Sequence, residues 1–535
     1  MSGRERDGGV LDRLTGDGAP AVGTGYAALS AALAIALVVP LGWLVVDALE
    51  LGPRAFELLL ASDTLTVLGR SVALVAVVTT AGVVVGVPLA VLTVQAAIPF
   101  RRFWTVLVAL PLAVPSYLGA FAAISATGPT GPLSAALGLP VPRVEGFLGA
   151  AVVLTLYTYP YVFLTTRASL LSLDASLVEA ARTLNCGRLA AFRRVTLPQI
   201  LPGVAAGALL VALYALADFG TPNFMNLQVY TQFIYSRHNA HMGGYAALLS
   251  LQLLAVTGVV LAAESAVGAD DSGAYASRGN RGAAELDLGR WRYPAMALPA
   301  LVALVALALP IGIFAFWLVR GGPGYDFARL TFSWSYGWNS VKVSLLAAVA
   351  SVLVALPIAL RAATTDSRLS SLTARAPYVG YATPGIVLAI AFVSFSLDVA
   401  PDLLYKSVPL LVFAYVVRFM PQAIGSIRTS TLQVDGRLVE AARTLGRSRT
   451  AAFRAVTLPL IVPGIVTGAA LVFLTSMKEL PATLLLRPLG FDTLVTFIWR
   501  AEEAGMYGQA AVPAFVLVAV SGLSMAVLLA QEDDG

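Results

Sequence analysis

The sequence predicts an all-α membrane protein of about 12 transmembrane helices in two parallel six-helix repeats, with both termini on the cytoplasmic side. Three observations predict it. The chain has too little charge to cover a water-facing surface, its arginines collect in alternate connections between apolar runs, and one polar stretch occurs twice.

Of 535 residues, 58% are hydrophobic and only 12% charged. The mean hydropathy is +0.81, whereas soluble domains carry roughly 25% charged residues. Crossing a hydrocarbon core of ~30 Å takes about 20 helical residues. Runs of that length are placed at 26–49, 70–94, 103–126, 147–166, 199–217, 244–264, 293–319, 340–361, 377–398, 407–427, 462–480 and 511–530. Barrel strands would instead alternate over about ten residues. The first run is too long for a signal-peptide core and reads as a retained anchor. The net charge of +5 is modest and forms no aromatic-rich basic stripe, so nucleic acid is not an expected partner. The single cysteine, Cys186, excludes an internal disulfide.

Arginine placement sets the orientation. With the N-terminus inside, the N-terminal tail and the even-numbered connections hold 23 of the 35 basic residues. Residues 265–291 are rich in Gly, Ser and mixed charges, as in a flexible linker. The expected organisation is therefore a cytoplasmic tail over 1–25, a first transmembrane domain over 26–264, a cytoplasmic linker over 265–291, a second transmembrane domain over 292–530 and a short cytoplasmic tail over 531–535.

The repeat is explicit. LVEAARTLNCGRLAAFRRVTLPQILPG at 177–203 and LVEAARTLGRSRTAAFRAVTLPLIVPG at 438–464 share 20 of 27 positions at an offset of 261. At an offset of 269, Ser71, Pro88 and Pro115 match Ser340, Pro357 and Pro384. Six crossings per half, an even number, place both copies in the same orientation. Apolar helices drift among Leu, Val, Ala and Ile, so a loop kept nearly identical points to two equal contacts with a symmetric partner. Its chemistry is that of a docking helix. Asp174 and Asp435 are N-caps, about three turns follow, and Asn185 and Gly446 stand where a left-handed C-cap is needed. A second short helix should then precede Leu197-Pro198 and Leu458-Pro459, which open the next membrane helices.

These residues closely resemble the EAA loop of binding-protein-dependent ABC importer permeases: Glu179-Ala180-Ala181 with Arg182 and Asn185, and Glu440-Ala441-Ala442 with Arg443 and Gly446, each followed by Leu-Pro and a further Pro. The first copy departs from the pattern at Asn185. Residues 476–499, with Ala217-Asp218-Phe219-Gly220-Thr221-Pro222, narrow the likeness to fused two-domain permeases of ferric-iron importers, whose relatives move thiamine or phosphonates. The resemblance implies a multi-pass permease of a prokaryotic cell membrane, a transporter subunit rather than an enzyme. It further implies two copies of an ABC ATPase on the cytoplasmic side and an extracytoplasmic solute-binding protein. No phosphate-binding Gly-x-x-x-x-Gly-Lys-Ser/Thr occurs, so ATP hydrolysis belongs to a partner, and no cofactor is expected in this chain.

The rival class is an ion-coupled secondary transporter, which wants ionisable groups within the membrane. Such groups are few. Arg418 stands mid-helix, either on the pathway, or paired internally for packing or snorkelling. Asp218 and Glu479 occupy equivalent repeat positions near helix ends, as an outer gate or as plain helix-end polarity. His238 and His241 read as loop residues rather than a metal site, since ferric iron prefers oxygen ligands.

Overall fold

The computed structural model describes residues 24–129, 131–173, 183, 187–270, 288–320, 331–365 and 367–533. Among these every regular element is a helix, with no strand. Among the described residues nine helices are long and apolar enough to cross a membrane, or up to 11 crossings if each of two bent helix pairs counts as one. The helix Tyr507–Leu523 is apolar but shorter.

The bent pairs correct two of the expected spans. The run 103–126 is two helices, Arg101–Leu112 and Ser116–Ala126, meeting at 86°. The run 377–398 is Leu369–Ala382 and Gly385–Val399, meeting at 104°. The cause is the matched prolines. Pro115 and Pro384 take ψ of 132° and 139° immediately before the second helix. Proline lacks an N–H and pushes the residue before it out of helical geometry, so the hydrogen-bond ladder stops there.

A second correction concerns the Leu-Pro pairs. The short helices Arg188–Ala191 and Arg449–Ala452 do not stop before Leu197-Pro198 and Leu458-Pro459. They run on through wide five-residue turns, Phe192–Thr196 and Phe453–Thr457. Leu197 N–H and Leu458 N–H reach back to the carbonyls of Phe192 and Phe453. The same turn occurs at Leu304–Ala308, before Leu309-Pro310. A proline ring clashes with the carbonyl four residues earlier, and widening the preceding turn moves that carbonyl aside without breaking the helix.

By contact the chain divides into two compact units. One takes its described residues from Met1–Glu50, Ser333–Thr496 and Val527–Gly535, the other from Leu51–Phe332 and Phe497–Ala526. In the first, the helices Trp334–Thr364, Val408–Leu432 and Leu458–Met477 pack on one another. In the second, Ser62–Val94, Gly146–Leu171 and Leu197–Ala217 do the same. The contacts are close because the crossing points are glycine. A Cβ on Gly468 would lie 2.8 Å from the Cα of Ala423, and one on Gly207 only 2.6 Å from the Cα of Val162. Small residues at such crossings let membrane helices approach to backbone contact, where dispersion rather than hydrophobicity holds them.

Each unit also receives a helix from the other sequence half. The segment Ala28–Leu49 packs on the bent pair Leu369–Ala382 and Gly385–Val399. Its Trp43 Nε1 donates to Asp398 at 3.0 Å, with the indole edge-on to Phe395. In the other unit, Gly289–Val319 packs on Ser116–Ala126, with Phe314 stacked on Phe121, and Tyr157 donates to the carbonyl of Ala306. Repeat and compact unit are thus different divisions of the chain.

The matched serines do the same work in both units. Ser71 Oγ accepts from the Tyr230 N–H at 2.8 Å while donating to the Val67 carbonyl. Ser340 Oγ accepts from the Leu494 N–H at 2.9 Å while donating to Tyr336. Each thereby satisfies the first N–H of a helix that a neighbouring membrane helix buries.

Candidate functional site

Two places carry the chemistry singled out in the sequence: the repeated loop and the acids beside the helix breaks. Of the loop residues, Glu179, Ala180, Ala181, Arg182 and Asn185, like Cys186, lie outside the described residues. The second copy is described in full. Its helix is Gly436–Thr444, and Asp435 caps it by accepting the Arg437 N–H at 2.9 Å. Gly446 closes it at φ +85°. Gly446 N–H bonds the Arg443 carbonyl and Arg447 N–H the Ala442 carbonyl, the pair of bonds that defines a Schellman cap.

The helix is capped at both ends yet hardly packed at all. Only Ala442 is buried. Glu440, Ala441 and Arg443 are exposed, and Leu438 and Leu445 are 50% and 84% exposed. Leu438, Ala441 and Leu445 share a face by their three- and four-residue spacing. An apolar stripe on a capped, exposed helix is the form in which helices enter a partner's groove.

The acids lie at the bent pairs. In the first half, Ser116, the first residue of Ser116–Ala126, donates to Asp218. Asp218 also accepts the Thr221 N–H at 2.8 Å, and Thr231 donates to its carbonyl. In the second half, Glu479 is 8% exposed and accepts the Ala482 N–H at 3.3 Å. Its other oxygen lies 3.2 Å from Arg418 Nε, and Arg418 Nη1 donates to the carbonyl of Thr383, in the break itself. Arg418 is therefore paired, not free. Both carboxylates reach the start of the second segment of a broken helix, where partially positive N–H groups favour negative charge.

The halves differ in how each acid is held. Arg418 aligns with Tyr157 and Gly385 with Ser116. One acid is held by a serine hydroxyl, the other by a guanidinium that reaches the break through the space left by glycine. Ser116, Thr383 and Gly385 are not among the residues that the sequence pattern singles out. The signal that could have found them is their place beside the matched prolines, Pro115 and Pro384. His238 lies in the helix Tyr230–Asn239, and His241 follows it at φ +60°. Among the described residues no cluster of three His, Cys, Asp or Glu is arranged to hold a metal.

Residues 82–267 and 355–531 each match the family described as binding-protein-dependent transport system inner membrane component. The chain belongs to that family. It is a fused ABC importer permease, a transporter subunit of the membrane, with the family unit present twice. The permease is 29% identical over 504 residues to the Fe(3+)-transport system permease protein FbpB 2 of Haemophilus influenzae, covering 93% of this chain and 96% of the relative. To the ferric transport system permease protein FbpB of Actinobacillus pleuropneumoniae it is 22% identical, over 72% of this chain and 58% of the relative. The molybdenum transport system permease protein ModB of Mycobacterium bovis is 30% identical, over 37% of this chain and 76% of the relative.

Proposed function

We propose that this permease carries ferric iron, forming the whole membrane part of an ATP-driven importer. Two copies of a separate ATPase dock on loops 174–185 and 435–446 at the cytoplasmic face, and a solute-binding protein delivers cargo from the other side. The observation that carries the docking assignment is the exposed stripe Leu438, Ala441 and Leu445 on a helix capped at both ends. By the 20 of 27 identities, the same role falls to Glu179, Ala180, Ala181, Arg182 and Asn185. Iron is favoured over molybdenum because likeness to an iron permease extends over 93% of the chain, against 37% for the molybdenum relative.

The fold supports a mechanical route within one unit. From the docking loop, Thr450–Met477 runs as one helical span of 28 residues, about 42 Å at 1.5 Å per residue, and ends one residue before Lys478-Glu479. A push on the loop travels along this helix to Glu479, and through Arg418 to the break before Gly385. In this reading Arg418 and Glu479 in one unit, and Asp218 in the other, each act as a gate element beside the pathway by holding or releasing the broken helix of their own unit.

The test is ATP-dependent uptake of radioactive ferric iron by the complex in vesicles. Reversing charge at both loops, Glu179→Arg with Glu440→Arg, should lower uptake and ATPase co-purification by about tenfold or more, a loss of ~1.4 kcal/mol or more of coupling. Unchanged uptake and co-purification would remove the docking assignment. Preferential uptake of molybdate, thiamine or a phosphonate would replace iron, and uptake driven by an ion gradient without ATP would place the chain among secondary transporters.

A further inference from the structure

An apolar groove of about 560 Å³ opens on the unit that contains Leu51–Phe332. Its walls come from Arg101–Leu112 and the residue Val114, from Gly289–Val319, and from one side of Tyr507–Leu523. Trp104, Leu107, Val114, Ala303, Leu307 and Ile311 are among the lining, and no residue that lines it is charged. It sits where Arg101–Leu112 turns away at its 86° bend and where Gly289–Val319 widens at Leu304–Ala308. Neither neighbour fills the gap the two irregularities leave.

One end of the groove has a different character. Arg101–Ala109 lies along Ala297–Ala303, and Leu110–Leu112 along Leu304–Ala308, so the two walls run in the same direction. Both therefore enter from the same end, one through Arg101 and Arg102, the other through Arg290 and Arg292. Arg102, Arg290 and Arg292 are exposed, as are Trp291 at 63% and Tyr293 at 61%. The Arg292 guanidinium lies 4.7 Å over the Tyr293 ring. Arginine with Trp and Tyr marks the level of lipid headgroups.

We propose that the groove holds an acyl chain of an anionic phospholipid whose phosphate is bound by Arg102, Arg290 and Arg292. A hydrocarbon chain is the one occupant that matches an uncharged slot between membrane-spanning helices and a cluster of cations at its mouth. The volume lies within the ~300–1,000 Å³ range of sites that enclose small molecules. This site is independent of the transported substrate.

The test is native mass spectrometry of the purified full-length permease, with lipid exchange against phosphatidylglycerol and phosphatidylcholine. One phosphatidylglycerol should survive delipidation, with a preference over phosphatidylcholine of about fivefold for each arginine engaged. Arg102→Gln with Arg290→Gln and Arg292→Gln, all at exposed positions, should abolish that preference while the protein stays folded. Ala303→Trp, which fills the groove, should remove the retained lipid. Equal retention of the two lipids by the native protein, an unaltered preference in the arginine variant, or density for a protein segment in the groove would each overturn the proposal.

Discussion

Gly385 and Glu479 fit together only because residue 385 has no side chain: a Cβ there would stand 2.7 Å from Glu479 Oε1 and 3.2 Å from the Arg418 guanidinium carbon. The ion pair between Arg418 of the helix Val408–Leu432 and Glu479, just past the helix Leu458–Met477, thus sits against the bent pair in a space only glycine leaves open, and Arg418 ties it to the break through the Thr383 carbonyl. Gly385→Ala should force the carboxylate out and destabilise the protein by about 1–3 kcal/mol, as overpacking does. A fall in thermal midpoint together with loss of uptake is expected. An unchanged midpoint would show that the ion pair moves aside freely.

Arg418 and Glu479 should behave as a unit. Their side chains are 18% and 9% exposed, and removing one partner of a buried pair leaves an uncompensated charge, at about 3–5 kcal/mol. Arg418→Met and Glu479→Gln should each destabilise the permease strongly, and the double variant less than the sum. Thermal unfolding of the four proteins supplies the double-mutant cycle, and additive effects would rule the coupling out.

The cap of the helix Gly436–Thr444 allows a graded test of the docking proposal. Gly446 sits at φ +85° with nothing within 4 Å of a Cβ there, so backbone strain is the main consequence of substitution. Gly446→Ala should weaken the helix end by roughly 1 kcal/mol. Gly446→Asn, the residue that the first copy carries as Asn185, should be milder because Asn tolerates the left-handed region. ATPase co-purification should rank native above Asn above Ala, and equal binding by all three would separate docking from the cap.

Glu502 lies in the helix Leu494–Glu503, outside the candidate spans. Burial, and then the nearby Glu503, raise its pKa from 4.5 to about 7 against the opposing pull of Arg143. The folded protein binds this proton more tightly than the unfolded chain, so stability falls as pH rises from about 4.5 through about 7. Thermal midpoints measured between about pH 5 and pH 8 should decline in the native protein. Glu502→Gln should flatten that decline and be the more stable of the two at the alkaline end.

Much of the candidate site is legible in the sequence. The caps at Asp435 and Gly446 follow from local rules that involve neighbours along the chain, and both are present. The breaks after Pro115 and Pro384 are not legible, although the prolines match, because membrane helices often tolerate proline when neighbours re-satisfy the backbone. Whether a given proline bends or breaks its helix depends on contacts from elsewhere in the chain. The choice between pathway and packing for Arg418 is closed to sequence reasoning for the same reason: its partner, Glu479, is 61 residues away.

Sequence by itself determined the class, the repeat and the repeated loop motif, since low charge, run length and a loop kept at 20 of 27 positions are properties of the chain read along its length. Tertiary structure alone decided that Glu479 meets Arg418 beside Gly385 and that Asp218 meets Ser116. It alone decided that the segment Ala28–Leu49 packs on helices of the other half. These are long-range choices among similar apolar helices. They are settled by where a glycine permits close approach and where a buried charge finds its counterpart, and composition records neither.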